Sequence, residues 1–128
     1  MKTSELTGVL LDFYVAKAEG HAPKLLRKLN SPAGELMWHA DTMHGSLSGM
    51  RHKFSEQWEL AGPIIERENL LVAPNGAPGD GWHSRVKSAG GFLSDESYGQ
   101  TPLVAAMRAY VALRFGEEVP AGTEIQNG

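Results

Sequence analysis

The sequence predicts an α+β protein: a small antiparallel sheet of two to three strands packed with an N-terminal, a central kinked and a C-terminal helix. Three observations carry that class. Residues 101–116 read as a capped helix with a broad apolar stripe. Residues 70–73 and 82–88 read as two strands around a turn-rich connection. A second apolar helix pattern occupies residues 7–20.

Taken in order, Thr7 suits the N-cap of the first helix, with Leu6 and Leu11 at the two positions of a hydrophobic staple. Leu10, Leu11, Tyr14, Val15 and Ala18 form its buried face; Asp12, Lys17 and Glu19 fall on the solvated side. Gly20 and Pro23 end it. Residues 24–53 carry weaker signals. Lys24 to Leu29 suits a short amphipathic helical turn, and Ser31-Pro-Ala-Gly34 marks a turn. Long structureless loops are uncommon in compact domains, so ordered structure or a mobile lid is expected here. Ser55-Glu-Gln-Trp58 reopens order with Ser55 as N-cap, and Gly62-Pro63 should kink or restart the helix that follows.

Leu70-Leu-Val-Ala73 is the first strand, and Pro74–Gly81 supplies the connection. Trp82–Ser88 is the partner strand. Trp82, Ser84 and Val86 share its core face; His83, Arg85 and Lys87 share the other. Two strands alone are marginal, so either 35–40 or 90–93 adds a strand or a second copy of the chain pairs at an edge. Ser94–Gln100 reads as a polar loop. Thr101 then caps the last helix, Pro102 fits its first turn, and Gly116 suits its left-handed end. One domain over 1–119 and a disordered tail over 120–128 are expected.

The composition narrows the function classes. A formal charge of −3 argues against nucleic acid as a partner. The absence of cysteine excludes disulfides, thiolate metal sites and cysteine nucleophiles. No apolar run approaches membrane-spanning length and the first residues lack a secretory pattern, so a cytoplasmic location is expected.

Leu6–Gly20, Trp58-Glu-Leu-Ala-Gly-Pro-Ile-Ile-Glu-Arg-Glu68, Thr101-Pro-Leu-Val-Ala-Ala-Met-Arg-Ala-Tyr-Val111 and Phe115–Val119 resemble the NinX-like proteins of lambdoid phages and prophages, and Trp82 matches a strand-opening tryptophan there. The resemblance covers about half the chain, in the right order. The family's Tyr-Ser-Pro-Ser-Thr type run is replaced here by His52–Gln57, of which only Ser55 fits. The resemblance implies a phage origin and the host cytoplasm, and supplies no activity or catalytic residues.

Candidate ligand or partner residues are Trp58, Glu66, Arg67, Trp82, Arg85 and Arg108. Tryptophan faces stack on rings, although Trp38, Trp58 and Trp82 also suit a core. Arg67 suits an ion pair at a helix end. His39, Asp41 and His44 are the weaker candidates for metal ligands, since positions 39 and 44 face opposite sides of a strand. No nucleophile elbow or phosphate loop occurs, so no catalytic residues and no cofactor are assigned. The expected protein is a phage or prophage accessory protein, a homo-oligomer that binds a host protein without catalysis. The alternatives are binding or sequestration of a nucleotide-like small ligand, through a pocket lined by Trp58, Trp82, Arg67 or Arg85, and a metal-dependent hydrolase.

Overall fold

The structure is a computed structural model that describes residues 1–28, 32–43, 45–120 and 125–127. Among the described residues there are three α-helices, α1 (Gly8–Ala18), α2 (Trp58–Arg67) and α3 (Pro102–Phe115). Seven strands accompany them: β1 (Lys24–Arg27), β2 (Leu36–Thr42), β3 (Gly45–Ser48), β4 (Leu70–Pro74), β5 (Trp82–Val86), β6 (Ser97–Gly99) and β7 (Ile125–Asn127). The α+β class is as the sequence predicts, but the strands form two sheets. One has the order β4-β5-β6 and is antiparallel throughout. The other has the order β3-β2-β1-β7, with β7 parallel to β1.

Residues 24–53 supply β1, β2 and β3 of the second sheet. Lys24–Arg27 is a strand, not a helical turn, and it pairs antiparallel with β2. The reason lies in Trp38. Its ring is fully buried and stacks on Phe54 at 6.4 Å between centroids, which draws β2 into the core. Gly49 lies against this ring; a Cβ there would sit 2.6 Å from the indole. Ser97–Gly99 is likewise a strand within the expected polar loop, and it completes the first sheet. Of the expected tail, Pro120 and Ile125–Asn127 lie within the described residues.

The core centres on α3. Leu103, Ala106, Met107, Tyr110 and Val111 are buried, and so are Leu11, Phe13, Tyr14 and Val15 of α1. Thr101 caps α3 as expected, accepting from the Val104 N–H at 3.1 Å, and Gly116 ends it at φ 85°. The other expected caps differ. Thr7 makes no side-chain cap, and α2 starts after Gln57, not Ser55. Ser55 is buried instead, its N–H donating to Asp12 at 2.8 Å. Pro63 lies inside α2.

Helix α3 lies directly on β5 and β6. Gly99 permits this: a Cβ there would sit 2.5 Å from the Ala105 nitrogen and 2.8 Å from Val104 Cγ1. Backbone cannot yield as a flexible side chain can. Gly99→Ala should therefore cost at least about 2 kcal/mol by overpacking. Gly62 is a contrast, because a Cβ at this helical position meets nothing within 4 Å. Gly62→Ala should stabilise by roughly 0.5 to 1 kcal/mol through helix propensity. Urea unfolding of both variants checks the opposite signs.

Candidate functional site

Two charged constellations border α3. The first ties the three helix ends together. Arg67 donates to Glu19 through Nη1 at 3.2 Å and Nη2 at 2.5 Å, and to Glu68 through Nε at 2.7 Å. The Tyr110 hydroxyl donates to Glu19 at 2.5 Å, and Arg114 reaches Glu68 at 3.2 Å. Both guanidinium carbons lie within 6 Å of the Tyr110 ring centre, at 5.8 Å for Arg67 and 5.5 Å for Arg114. Burial raises the Glu19 carboxyl, but hydrogen bonds from Arg67 and Tyr110 outweigh it and hold the group below its ordinary value. Hydrogen bonds to Glu19 and then Glu68 hold Arg67 firmly charged. This cluster spends Arg67 on the fold.

The second constellation lines a groove of about 620 Å³ on another side of α3. Val86, Ala109, Ala112 and Leu113 supply its apolar surface, and Tyr98 stands over it, half exposed. Arg108 also lines it. Its Nε donates to the Leu6 carbonyl and its Nη1 to the Tyr98 carbonyl, each at 2.8 Å. Burial alone pulls the Arg108 guanidinium below its ordinary value, with no carboxylate offsetting it. Arg108 thus joins the N-terminal segment and β6 to α3, and so builds two walls of the groove. Arg85 donates to Glu96 at 2.5 Å, and the Tyr98 hydroxyl donates to the same carboxylate. Those bonds, from Tyr98 first and Arg85 second, hold Glu96 below its ordinary value. Lys2, Asp95, Glu117 and Glu118 stand exposed at the rim.

The sequence profile of the family described as Bacteriophage P22, NinX matches residues 2–114. The chain belongs to the phage P22 NinX family. This makes it a phage accessory protein, as the resemblance implies. No curated protein matches it. The NinX match spans α1, α2, α3 as far as Arg114 and every groove residue up to Leu113; Gly116, Glu117 and Glu118 lie beyond it. Among the described residues of this NinX-family chain, no helix is long and apolar enough to cross a membrane.

The expected site residues do not converge. Trp58 opens α2 and is 58% exposed, whereas Trp82 is half-buried on β5 and Trp38 is core. Glu66 is exposed at the end of α2. Of the six candidates only Arg108 lines the groove, with Arg85 joined to it through Glu96. None of Trp58, Trp82, Arg67 and Arg85 lines this groove. His39 and Asp41 share a face of β2, with Nε2 and Oδ1 3.4 Å apart, and His44 lies outside the described residues. No group of three or more metal-binding side chains occurs among the described residues. The His52 Nδ1 accepts from the Ser48 N–H at 3.1 Å.

Asp12 departs most from the sequence reading. It is 3% exposed, not on a solvated face, because the segment carrying Ser55 covers α1 at that point. Helical periodicity gave no sign of it: a residue flanked by Leu11 and Phe13 is hidden once a helix is covered on most sides. Burial raises its carboxyl to about 6 from an ordinary 3.8, against the lowering effect of the Ser55 hydrogen bonds. The folded state therefore binds more protons than the unfolded state between those values, so stability falls as pH rises through that window. A shift of this size corresponds to at most ~3 kcal/mol. Asp12→Asn keeps an acceptor for the Ser55 N–H and removes the charge. The stability difference between variant and wild type should move in the variant's favour from pH 4 to pH 7, which thermal melts across that range will show.

Proposed function

We propose that this phage accessory protein acts without catalysis, by binding a host protein, and that it does so as a homo-oligomer. The observation that carries the reading is Trp58. It begins α2 with 58% of its surface in solvent, while Ala61 and Ile64 of the same helix are buried. Exposed tryptophan is costly to leave in water, and tryptophan is enriched among residues that dominate interface energies. The candidate cations support the same reading from the other side. Arg67, Arg85 and Arg108 each bond within the chain, so they serve the fold before any phosphate-bearing ligand. The groove still supports a second reading, binding of a small ligand, because about 620 Å³ is within the range of such sites.

Native mass spectrometry of the protein purified from infected host extract tests both readings. The host-protein reading expects a stoichiometric host polypeptide on an oligomer of this chain, with at least a tenfold loss of the complex in Trp58→Ala. Recovery of the chain carrying only a bound small molecule supports the second reading and overturns the first. Recovery of the wild-type chain with no bound species also overturns the first.

A further inference from the structure

We infer that the groove beside α3 is a docking site for a basic, amphipathic helical segment of a protein partner. The inference rests on the reading that the protein works by binding a host protein, and it names the chemistry of the segment bound. The floor is apolar, formed by Ala109, Ala112 and Leu113 along one side of α3 and by Val86 of β5. Leu113 is 46% exposed and Tyr98 is 54% exposed, so these side chains await a partner in the folded chain. The apolar surface continues past the groove at the turn that precedes Ser94. Phe92 and Leu93 there are exposed, and Leu93 bridges to Lys87, next to Val86.

The charge at the rim selects the partner. Asp95, Glu117 and Glu118 are exposed carboxylates that form no ion pair among the described residues; Lys2, which forms a β-bridge with Glu118, and the Met1 ammonium on the Val119 carbonyl are cations beside them. The two arginines near the groove do not reverse this balance. Arg85 is matched by Glu96, and Arg108 is directed to the Leu6 and Tyr98 carbonyls. A helix with apolar residues at positions i, i+3, i+4 and i+7 can place them along the floor, as helix-in-groove recognition requires. Lysines and arginines flanking that stripe then meet the acidic rim. Such complementarity chiefly sets the association rate and rejects wrong partners. An acidic peptide or a nucleic acid would meet like charge at the same rim.

The test uses the full chain and two synthetic helical peptides with the same leucine stripe, one with lysines on its polar face and one with glutamates. Fluorescence anisotropy should show binding of the lysine peptide at least tenfold tighter than the glutamate peptide at low salt. Leu113→Asp should weaken the lysine peptide tenfold or more, and the double variant Glu117→Lys with Glu118→Lys should shrink the preference between peptides. All three positions are exposed, so circular dichroism should report an unchanged fold. Equal binding of both peptides, or binding indifferent to Leu113→Asp, overturns the inference. The same variants in the host-extract experiment separate the two proposals. A host complex intact in both variants overturns the groove as docking site and leaves the host-binding reading standing. A wild-type chain that binds the lysine peptide through Leu113 but carries no host polypeptide sustains the site chemistry and removes the host-binding reading.

Discussion

The architecture depends on how closely α3 approaches the sheet β4-β5-β6. Two glycines set that distance. Gly99 leaves room for the first turn of α3, and Gly81 leaves room for the Gly99 carbonyl, which a Cβ on Gly81 would meet at 2.8 Å. With no side chain on Gly99, helix and strand approach closely, and Ala105 and Ala106 become fully buried. Alanine suits such positions because it fills the short gap and favours the helix. The apolar content of α3 is therefore spread around most of its circumference. Leu103, Met107, Tyr110 and Val111 complete the buried set, and α1 closes another side. What remains uncovered is the strip from Ala112 to Phe115 and the glycine turn that follows.

Electrostatics divide the molecule around that helix. On one side, Glu19, Arg67, Glu68, Tyr110 and Arg114 satisfy one another across the ends of α1, α2 and α3. Exposed ion pairs taken singly contribute little. Here the two arginines also lie against the Tyr110 ring, and the partly shielded Glu19 accepts from two donors, so ordering one member orders the rest. On the other side, Arg108 makes long-range bonds to backbone carbonyls of Leu6 and Tyr98. A guanidinium directed at carbonyls keeps its formal charge but turns its donors inward. The protein thus uses its cations to hold segments together and leaves carboxylates at the groove rim.

The legibility of the fold followed the strength of local signals. Residues 101–116 combine a cap, a proline in the first turn, a dense apolar pattern and a terminal glycine, and all four features are realised. The strand from Trp82 was legible because Ser84 and Val86 alternate cleanly with His83 and Arg85. In residues 24–48 a strand was expected only at 35–40, where β2 lies; β1 and β3 were not legible, because they have four residues each and the intervening chain holds no hairpin signature. Their strand character comes from burial of Trp38 and from pairing with β2, which are tertiary effects that override weak propensity. Ser97–Gly99 escaped for the same reason: three residues carry no period, and only pairing with β5 makes them a strand. Of the site, Arg108 was visible as the odd cation on an apolar helix. Its neighbours were not.

That difference has a physical origin. The groove is assembled from Lys2 and Thr3, from Val86, from Ser94 to Tyr98, and from the end of α3 with Glu117 and Glu118. Each segment taken alone is an ordinary polar loop or helix end, and none carries a motif. Sites that position a reacting atom need specific side chains at fixed spacing, and such spacing often leaves a trace within one segment. A surface that holds another protein needs only apolar area, shape and charge of the right sign, distributed over segments far apart in the chain. The exposed side chains of Trp58, Phe92, Tyr98 and Leu113 show where this fold leaves apolar area uncovered. The exposed carboxylates of Glu117 and Glu118, which line the groove with Leu113, give one of those areas a negative sign.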